Sequence, residues 1–234
     1  MNVIAYIKGK IKINTNEVRI ETSTLCNFSC KFCPNKNGFK RKKEIMSLEL
    51  FTKLLYKIKA EAPEITTCTF SGMGEPLLDN TIEDKIKLAK KLHYNIILLT
   101  NGSLLSYKKI KDIDLLKISF STFSRERFKK LTGKDDFYIV LDNIYHVAKT
   151  HKVIITATLT ENFEEEIEGL KKLFDNKVYA LEIWKPHNWG NWGNYRLIKS
   201  QQKKLVEGLK TGQFRFKLME QLICVVLILM GSYF

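Results

Sequence analysis

Cys26, Cys30 and Cys33 stand close together in the run Cys26-Asn27-Phe28-Ser29-Cys30-Lys31-Phe32-Cys33, with the spacing C-x3-C-x2-C. The segment reads as a polar loop, so these are not inert core thiols, and clustered soft thiolates point to a metal. Zinc usually takes four ligands, often from two C-x2-C pairs. No second pair exists here, because Cys68 and Cys224 are isolated. An iron–sulfur cube takes one cysteine per iron. Three cysteines then leave one iron open to an exogenous ligand, which makes a reactive site rather than a plain electron carrier. Zinc, or thiols gathered incidentally, is the competing reading.

A second run, Ser71-Gly72-Met73-Gly74-Glu75-Pro76, follows an apolar stretch. Glycines let a backbone approach a ligand closely, and a carboxylate such as Glu75 accepts from an ammonium group. Taken singly, the run is compatible with a plain turn. Thr100-Asn101-Gly102, the pair Ser119 and Ser121, and Trp184 stand where further apolar runs end. Ordinary turns and packing are the competing readings for each of them.

The elements that must position these residues alternate between strand-like and helix-like runs, the signature of parallel βαβ units. Residues 18–22, 66–71, 96–100, 115–121, 153–159 and 178–184 read as six strands. Several are nearly continuous apolar runs, which suits a sheet buried on both faces. Ser47 is placed to cap a helix with the apolar face Leu48, Phe51, Leu54, Leu55 and Ile58. Thr81 with Asp84 resembles a capping box ahead of Ile82, Ile86 and Ala89. Val140, Ile144, Val147 and Ala148 mark a third helix, and Ile167, Leu170 and Phe174 a fourth, with Asn162 as its cap. Six strand–helix units fit a barrel or partial barrel, with an open doubly wound sheet as the alternative. Either one puts chemistry at the carboxyl ends of strands, where the motifs above lie.

The cysteine spacing, the aromatic Phe32 before the third cysteine, and Gly74-Glu75-Pro76 one βα unit later together resemble the radical S-adenosylmethionine (SAM) superfamily, over about residues 18–185. The resemblance implies an α/β fold, a parallel (β/α)6 partial TIM-type barrel. It implies one [4Fe–4S] cluster on Cys26, Cys30 and Cys33, with SAM chelating the fourth iron through its amino and carboxylate groups. Reductive cleavage of SAM would yield a 5′-deoxyadenosyl radical that abstracts hydrogen from a substrate. Gly72, Met73, Gly74, Glu75 and Pro76 would hold the SAM amino group, although Met73 replaces the usual first glycine of a Gly-Gly-Glu-Pro motif. Asn101, Ser119 and Ser121 are placed to reach the ribose and carboxylate, and Trp184 the adenine. The family's strand-five motif is not clear; Thr156, Thr158 and Thr160 alternate there instead.

Pro34-Asn35, the basic stretch after it, Met46-Ser47, and the run from Trp184 through Gly190 resemble the SPASM-type branch of that superfamily. Members of that branch act on peptides, proteins, sugars or other small molecules, and usually bind auxiliary clusters in a C-terminal domain. Past Asn188 only Cys224 remains, so one cluster is expected. The expected layout is an N-terminal β extension (1–17), a core domain (18–187) and a short irregular extension (188–234) that reads as a truncated remnant. The implied partners are an electron donor such as flavodoxin or ferredoxin, and a peptide or small-molecule substrate, with a partner protein to close the barrel.

The remaining features are plainer. Apolar residues make up 44% and charged residues 27% of 234 residues, an ordinary globular composition. The net charge of +14 suggests nucleic acid, but 33 of the 39 basic residues are lysine, whereas base and phosphate recognition favours arginine. An RNA-modifying enzyme is therefore an alternative and a lysine-rich surface is the preferred reading, with Lys85, Lys87, Lys90 and Lys91 on a helix's polar side. A cluster-binding protein without turnover is a second alternative. No signal peptide is evident, so a cytoplasmic setting is expected, and in such a chain five cysteines with three clustered favour metal or catalysis over disulfides. Residues 223–230 are apolar but too few to span a bilayer, which needs about 20; a terminal strand or helix end is expected there. Cys68 reads as a buried structural thiol, the four histidines as surface or capping residues, and Glu164-Glu165-Glu166 as a solvated first helical turn.

Overall fold

The computed structural model describes residues 16–37 and 42–184, with the backbone of Val226 and Leu227. Residues 1–15 of the expected N-terminal extension and nearly all of the region after Trp184, including Cys224 and His187, lie outside the described residues, while Glu17 belongs to the first strand. Seven strands form one parallel sheet: β1 (Glu17–Ile20), β2 (Thr67–Phe70), β3 (Asn95–Thr100), β4 (Leu115–Ser119), β5 (Val153–Thr158), β6 (Ala180–Trp184) and β7 (Val226–Leu227). The helices are α1 (Pro34–Asn37), α2 (Leu48–Glu61), α3 (Ile82–Lys91), α4 (Tyr107–Ile110), α5 (Arg125–Thr132), α6 (Phe137–Val147) and α7 (Phe163–Phe174).

The strand order is β6-β5-β4-β3-β2-β1-β7. From β1 to β6 each strand lies beside its predecessor, with no reversal of direction across the sheet. A doubly wound sheet must reverse at a switch point, so the winding is that of a barrel. The two-residue β7 adds to the outer side of β1, with Arg19 opposite Val226. Ile20, Phe70, Leu98, Leu116 and Val153 lie in register across five strands. The loops that follow these strands therefore emerge at one end of the sheet.

Alternation along the strands separates two faces. Val18, Ile20, Cys68, Phe70, Ile96, Leu98, Leu116, Ile118, Val153 and Ile155 are buried in one core with Phe51, Leu55, Ile86, Ile144 and Leu170 of the helices. The opposite face carries Glu17, Arg19, Lys117, Ser119, Glu182 and Trp184, none of them buried. Thr69, Ile154 and Thr156 on that same face are buried, so the expectation of burial on both faces holds in the middle of β2 and β5 and fails at β1, β4 and β6. The helices cover one side, and the other is a mixed face on which Ile97, Leu99, Leu115 and Ile154 accompany the polar side chains.

Ser47 caps α2 as expected, its hydroxyl accepting from Leu50 N–H at 3.1 Å. Two other caps differ. Thr81 precedes α3 without a side-chain cap bond, because its hydroxyl and its amide both donate to Asp79 at 2.8 Å. Asn162 precedes α7 in the left-handed conformation (φ 50°), again without a side-chain cap bond. Lys85 is not on a polar face: it is wholly buried, bonded to Asp79 and to the Met46 carbonyl. Burial pulls its pKa down, and Asp79 opposes that. The acidic turn of α7 is only partly solvated, since Glu166 is 3% exposed. Its carboxylate accepts from Thr122 Oγ1 (2.8 Å), Phe123 N–H (3.0 Å) and Arg127 (2.6 Å). A lone glutamate in an acidic triplet gives no sign of this, because the partners come from the distant loop after β4 and from the start of α5.

Gly169 lets α7 lie against that same loop. A Cβ there would sit 2.2 Å from the ring of Phe123. Gly169→Ala is expected to cost about 1–3 kcal/mol through overpacking, read as a lower denaturant midpoint with an unchanged m-value.

Candidate cofactor site

The cysteine run leaves the carboxyl end of β1 and is held at several points. Phe28 is buried at 8% exposure and meets Phe128 edge-on, with ring centroids 5.9 Å apart. Phe128 packs in turn on Phe120 and Phe137 at 5.5 and 5.7 Å. Ser29 N–H and Lys31 N–H donate to the Thr132 and Leu131 carbonyls at the end of α5, both at 2.8 Å. α5 has a single buried residue, Phe128, which is why periodicity alone does not reveal it. Gly133 ends α5 in the left-handed conformation (φ 72°) against Ser29.

Cys26, Cys30 and Cys33 are all half-buried and none is in a disulfide. Burial raises the Cys26 thiol above its ordinary pKa, bonds from Phe28 N–H and the Asn101 amide lower it, and the nearby Glu75 and Cys33 raise it again. The protein alone thus leaves this thiol protonated, while a bound metal deprotonates a coordinating thiol outright. Among the described residues, no three His, Cys, Asp or Glu side chains converge as a single-ion site would require. A cube makes no such demand, since each thiolate binds its own iron. Three half-buried thiols on one loop are the donor type a cube takes, one per iron.

The loop after β2 packs directly on this run. A Cβ on Gly74 would fall 1.9 Å from the Ser23 carbonyl oxygen and 2.7 Å from that of Leu25. Glu75 N–H donates to Leu25 O at 2.6 Å. No other residue type fits at position 74 without separating the two loops. Pro76 is buried and opens a 3-10 turn, Pro76–Leu78. Glu75 is 2% exposed. One carboxylate oxygen accepts from Leu77 N–H (3.0 Å) and Thr100 Oγ1 (2.7 Å), and the other from Asn101 N–H (2.8 Å). Burial pushes its pKa up and these three bonds bring it down. Both oxygens are thus engaged by the protein, and Glu75 ties the end of β2 to the end of β3.

Asn101 completes the link. Its Nδ2 donates to Asn27 Oδ1 at 2.9 Å, and Asn27 Nδ2 donates to Ser103 Oγ at 2.8 Å. Just past Cys33, Asn35 Nδ2 donates to the Thr24 and Met73 carbonyls at 3.2 and 3.0 Å. The structure thus brings the cysteines together with Gly72, Met73, Gly74, Glu75, Pro76 and Asn101. Sequence reasoning missed Asn27, Phe28 and Asn35 as working parts, although all three lie in or beside the cysteine run.

Ser119, Ser121 and Trp184 lie farther along the sheet. Ser121 Oγ accepts from Thr158 N–H at 3.0 Å, and Ser119 Oγ is 3.5 Å from Thr156 Oγ1. Trp184 Nε1 donates to Glu182 at 3.3 Å, and Glu182 pairs with Lys117 at 3.0 Å. Phe32 is half-buried within the cysteine run.

The sequence model of the Radical SAM superfamily matches residues 20–174. An uncharacterized protein of Methanocaldococcus jannaschii is 36% identical over 171 residues, covering 70% of this chain and 54% of the relative. A probable GTP 3′,8-cyclase of Saccharolobus islandicus is 35% identical over 178 residues, covering 71% of this chain and 56% of the relative. The chain spans about half the length of these curated relatives. Streptococcus suis SuiB bound to S-adenosylmethionine shares the fold, with a TM-score of 0.69 at 16% identity over 86% of this chain and 50% of SuiB.

Proposed function

Because the chain belongs to the radical SAM superfamily, we propose that it is a radical SAM enzyme holding one [4Fe–4S] cluster on Cys26, Cys30 and Cys33 and acting on a small-molecule substrate. The observation that supports this most is the knitting of the cysteine run to the Gly72–Pro76 loop and to Asn101, through Glu75 and Asn27. When bound, the cluster and SAM supply a 5′-deoxyadenosyl radical that takes hydrogen from the substrate.

The chain's own residues do the holding. Three thiolates retain the cluster and leave one iron for SAM. Glu75 acts chiefly as an anchor in this reading, because it is 2% exposed and Leu77, Thr100 and Asn101 donate to its two oxygens. The acceptors for the SAM ammonium are backbone carbonyls of the Gly72–Gly74 loop. Ser119, Ser121 and Trp184 line the mixed face where the rest of SAM and the substrate would lie. The small-molecule reading is supported by the similarity to a probable GTP 3′,8-cyclase. A peptide substrate is the second reading within the same chemistry. An external one-electron donor, such as flavodoxin or ferredoxin, completes the scheme in a cytoplasmic setting. Among the described residues, no helix is long and apolar enough to cross a membrane.

The test is anaerobic reconstitution followed by dithionite and SAM. Bound iron of about four per chain and formation of 5′-deoxyadenosine are expected. Iron without any 5′-deoxyadenosine would leave a cluster-binding protein without turnover. About eight irons per chain would defeat the single-cluster reading.

A further inference from the structure

Glu21 is the residue directly after β1, and it is 1% exposed although its side chain is a carboxylate. Burying a carboxylate is costly unless hydrogen bonds compensate. Its Oε1 accepts from two successive backbone amides of the loop after β2, Met73 N–H at 2.7 Å and Gly74 N–H at 3.2 Å. Gly72 makes room for this contact. A Cβ at position 72 would fall 2.4 Å from Glu21 Cγ and 2.5 Å from its Oε1.

These bonds determine which way the loop's carbonyls face. In a trans peptide the N–H and C=O of one plane point in opposite directions. The plane carrying Met73 N–H also carries the Gly72 carbonyl, and the plane carrying Gly74 N–H carries that of Met73. With both N–H groups turned to Glu21, both carbonyls turn away from it. The Met73 carbonyl is met there by Asn35 Nδ2, just beyond Cys33. The Met73 carbonyl therefore faces the segment just past the cysteine run, and the Gly72 carbonyl, on the neighbouring plane, is likewise turned away from Glu21.

We infer that Glu21 is a positioning residue for SAM: by holding the Met73 and Gly74 amides it aims the Gly72 and Met73 carbonyls at the ligand's ammonium group. The inference rests on the radical SAM reading above. It assigns to Glu21 the loop-orienting work, while Glu75 anchors the far side of the same loop to β3.

Three variants and two measurements test it. Glu21→Gln retains Oε1 as an acceptor for both amides, Glu21→Leu removes it, and Gly72→Ala displaces the side chain without deleting it. The first measurement is deuterium exchange of the peptide spanning residues 72–75 in the cluster-free chain. It should be slow in the wild type and in Glu21→Gln, and at least tenfold faster in Glu21→Leu and Gly72→Ala, given the worth of hydrogen bonds to charged groups. This measurement does not depend on SAM chemistry. The second is the SAM dissociation constant of the reconstituted protein, with the change in the reduced cluster's electron paramagnetic resonance signal on adding SAM. Weakening on the order of tenfold or more is expected in Glu21→Leu and Gly72→Ala, with recovery in Glu21→Gln. If Glu21→Leu does not fold, Gly72→Ala decides. Unchanged exchange and SAM affinity in the folded variants would overturn the inference, as would Glu21→Gln behaving like Glu21→Leu. A wild type whose cluster signal ignores SAM would instead sink the radical SAM reading, while the exchange result would still report on Glu21.

Discussion

Replacing Cys30 with serine is expected to lower bound iron from about four per chain to less than one, and to abolish 5′-deoxyadenosine formation. The same holds for Cys26 and Cys33, because a cube attached by two thiolates has no third anchor and a serine hydroxyl is a poor substitute for a soft thiolate donor. The fold should survive. All three cysteines are half-buried, and the loop is anchored independently by Phe28 and by the bonds of Ser29 and Lys31 to α5. Far-UV circular dichroism should therefore match the wild type while the iron is lost. Cys68 provides the contrast. It is wholly buried among apolar neighbours on β2, and burial pushes its thiol far above the usual cysteine range. A neutral thiol in the core is no metal ligand, so Cys68→Ala should keep its iron and lose only stability. Iron retention in Cys30→Ser, or iron loss in Cys68→Ala, would reverse the assignment of ligands.

Lys85→Met should produce the largest loss of stability, about 3–5 kcal/mol, by leaving Asp79 charged and wholly buried without its cation. Both side chains have 0% exposure. Lys85 also bonds the Met46 carbonyl, which ties α3 to the segment entering α2. Adding Asp79→Asn removes the orphaned charge and keeps an oxygen for Thr81. The double variant should recover more than half of the loss, because the penalty comes from the unpaired charge rather than from the missing pair. Denaturant titration of the two single variants and the double variant measures this directly. A double variant no more stable than Lys85→Met would show that the Met46 bond, not the charge, is what matters.

The fold was legible wherever one residue type repeats at a fixed period. The strands around Ile96–Leu98 and Val153–Ile155 and the apolar faces of α2, α3, α6 and α7 appear where the alternation places them. What periodicity missed had no period. α5 rests on Phe128 alone, and α1 and α4 are each four residues long. Composition also misled at single positions. Lys85 and Glu166 belong to polar-looking helix turns and yet are buried, Lys85 satisfied by Asp79 and the distant Met46 carbonyl and Glu166 by the distant Thr122 and Arg127.

For the site, the sequence carries the chemistry, because ligand type and local spacing are properties of adjacent residues. The C-x3-C-x2-C run and Gly74-Glu75-Pro76 are readable without any coordinates. The division of work between the two carboxylates is not readable that way. Glu75 reads as a ligand-binding group, and the structure adds that it accepts from Thr100 and Asn101, while Glu21 reads as one residue of a strand and accepts from the loop 52 positions away. Those roles come from which strand ends lie side by side. The parallel register of β1, β2 and β3 settles that, and it arises only when the helices close over one face of the sheet.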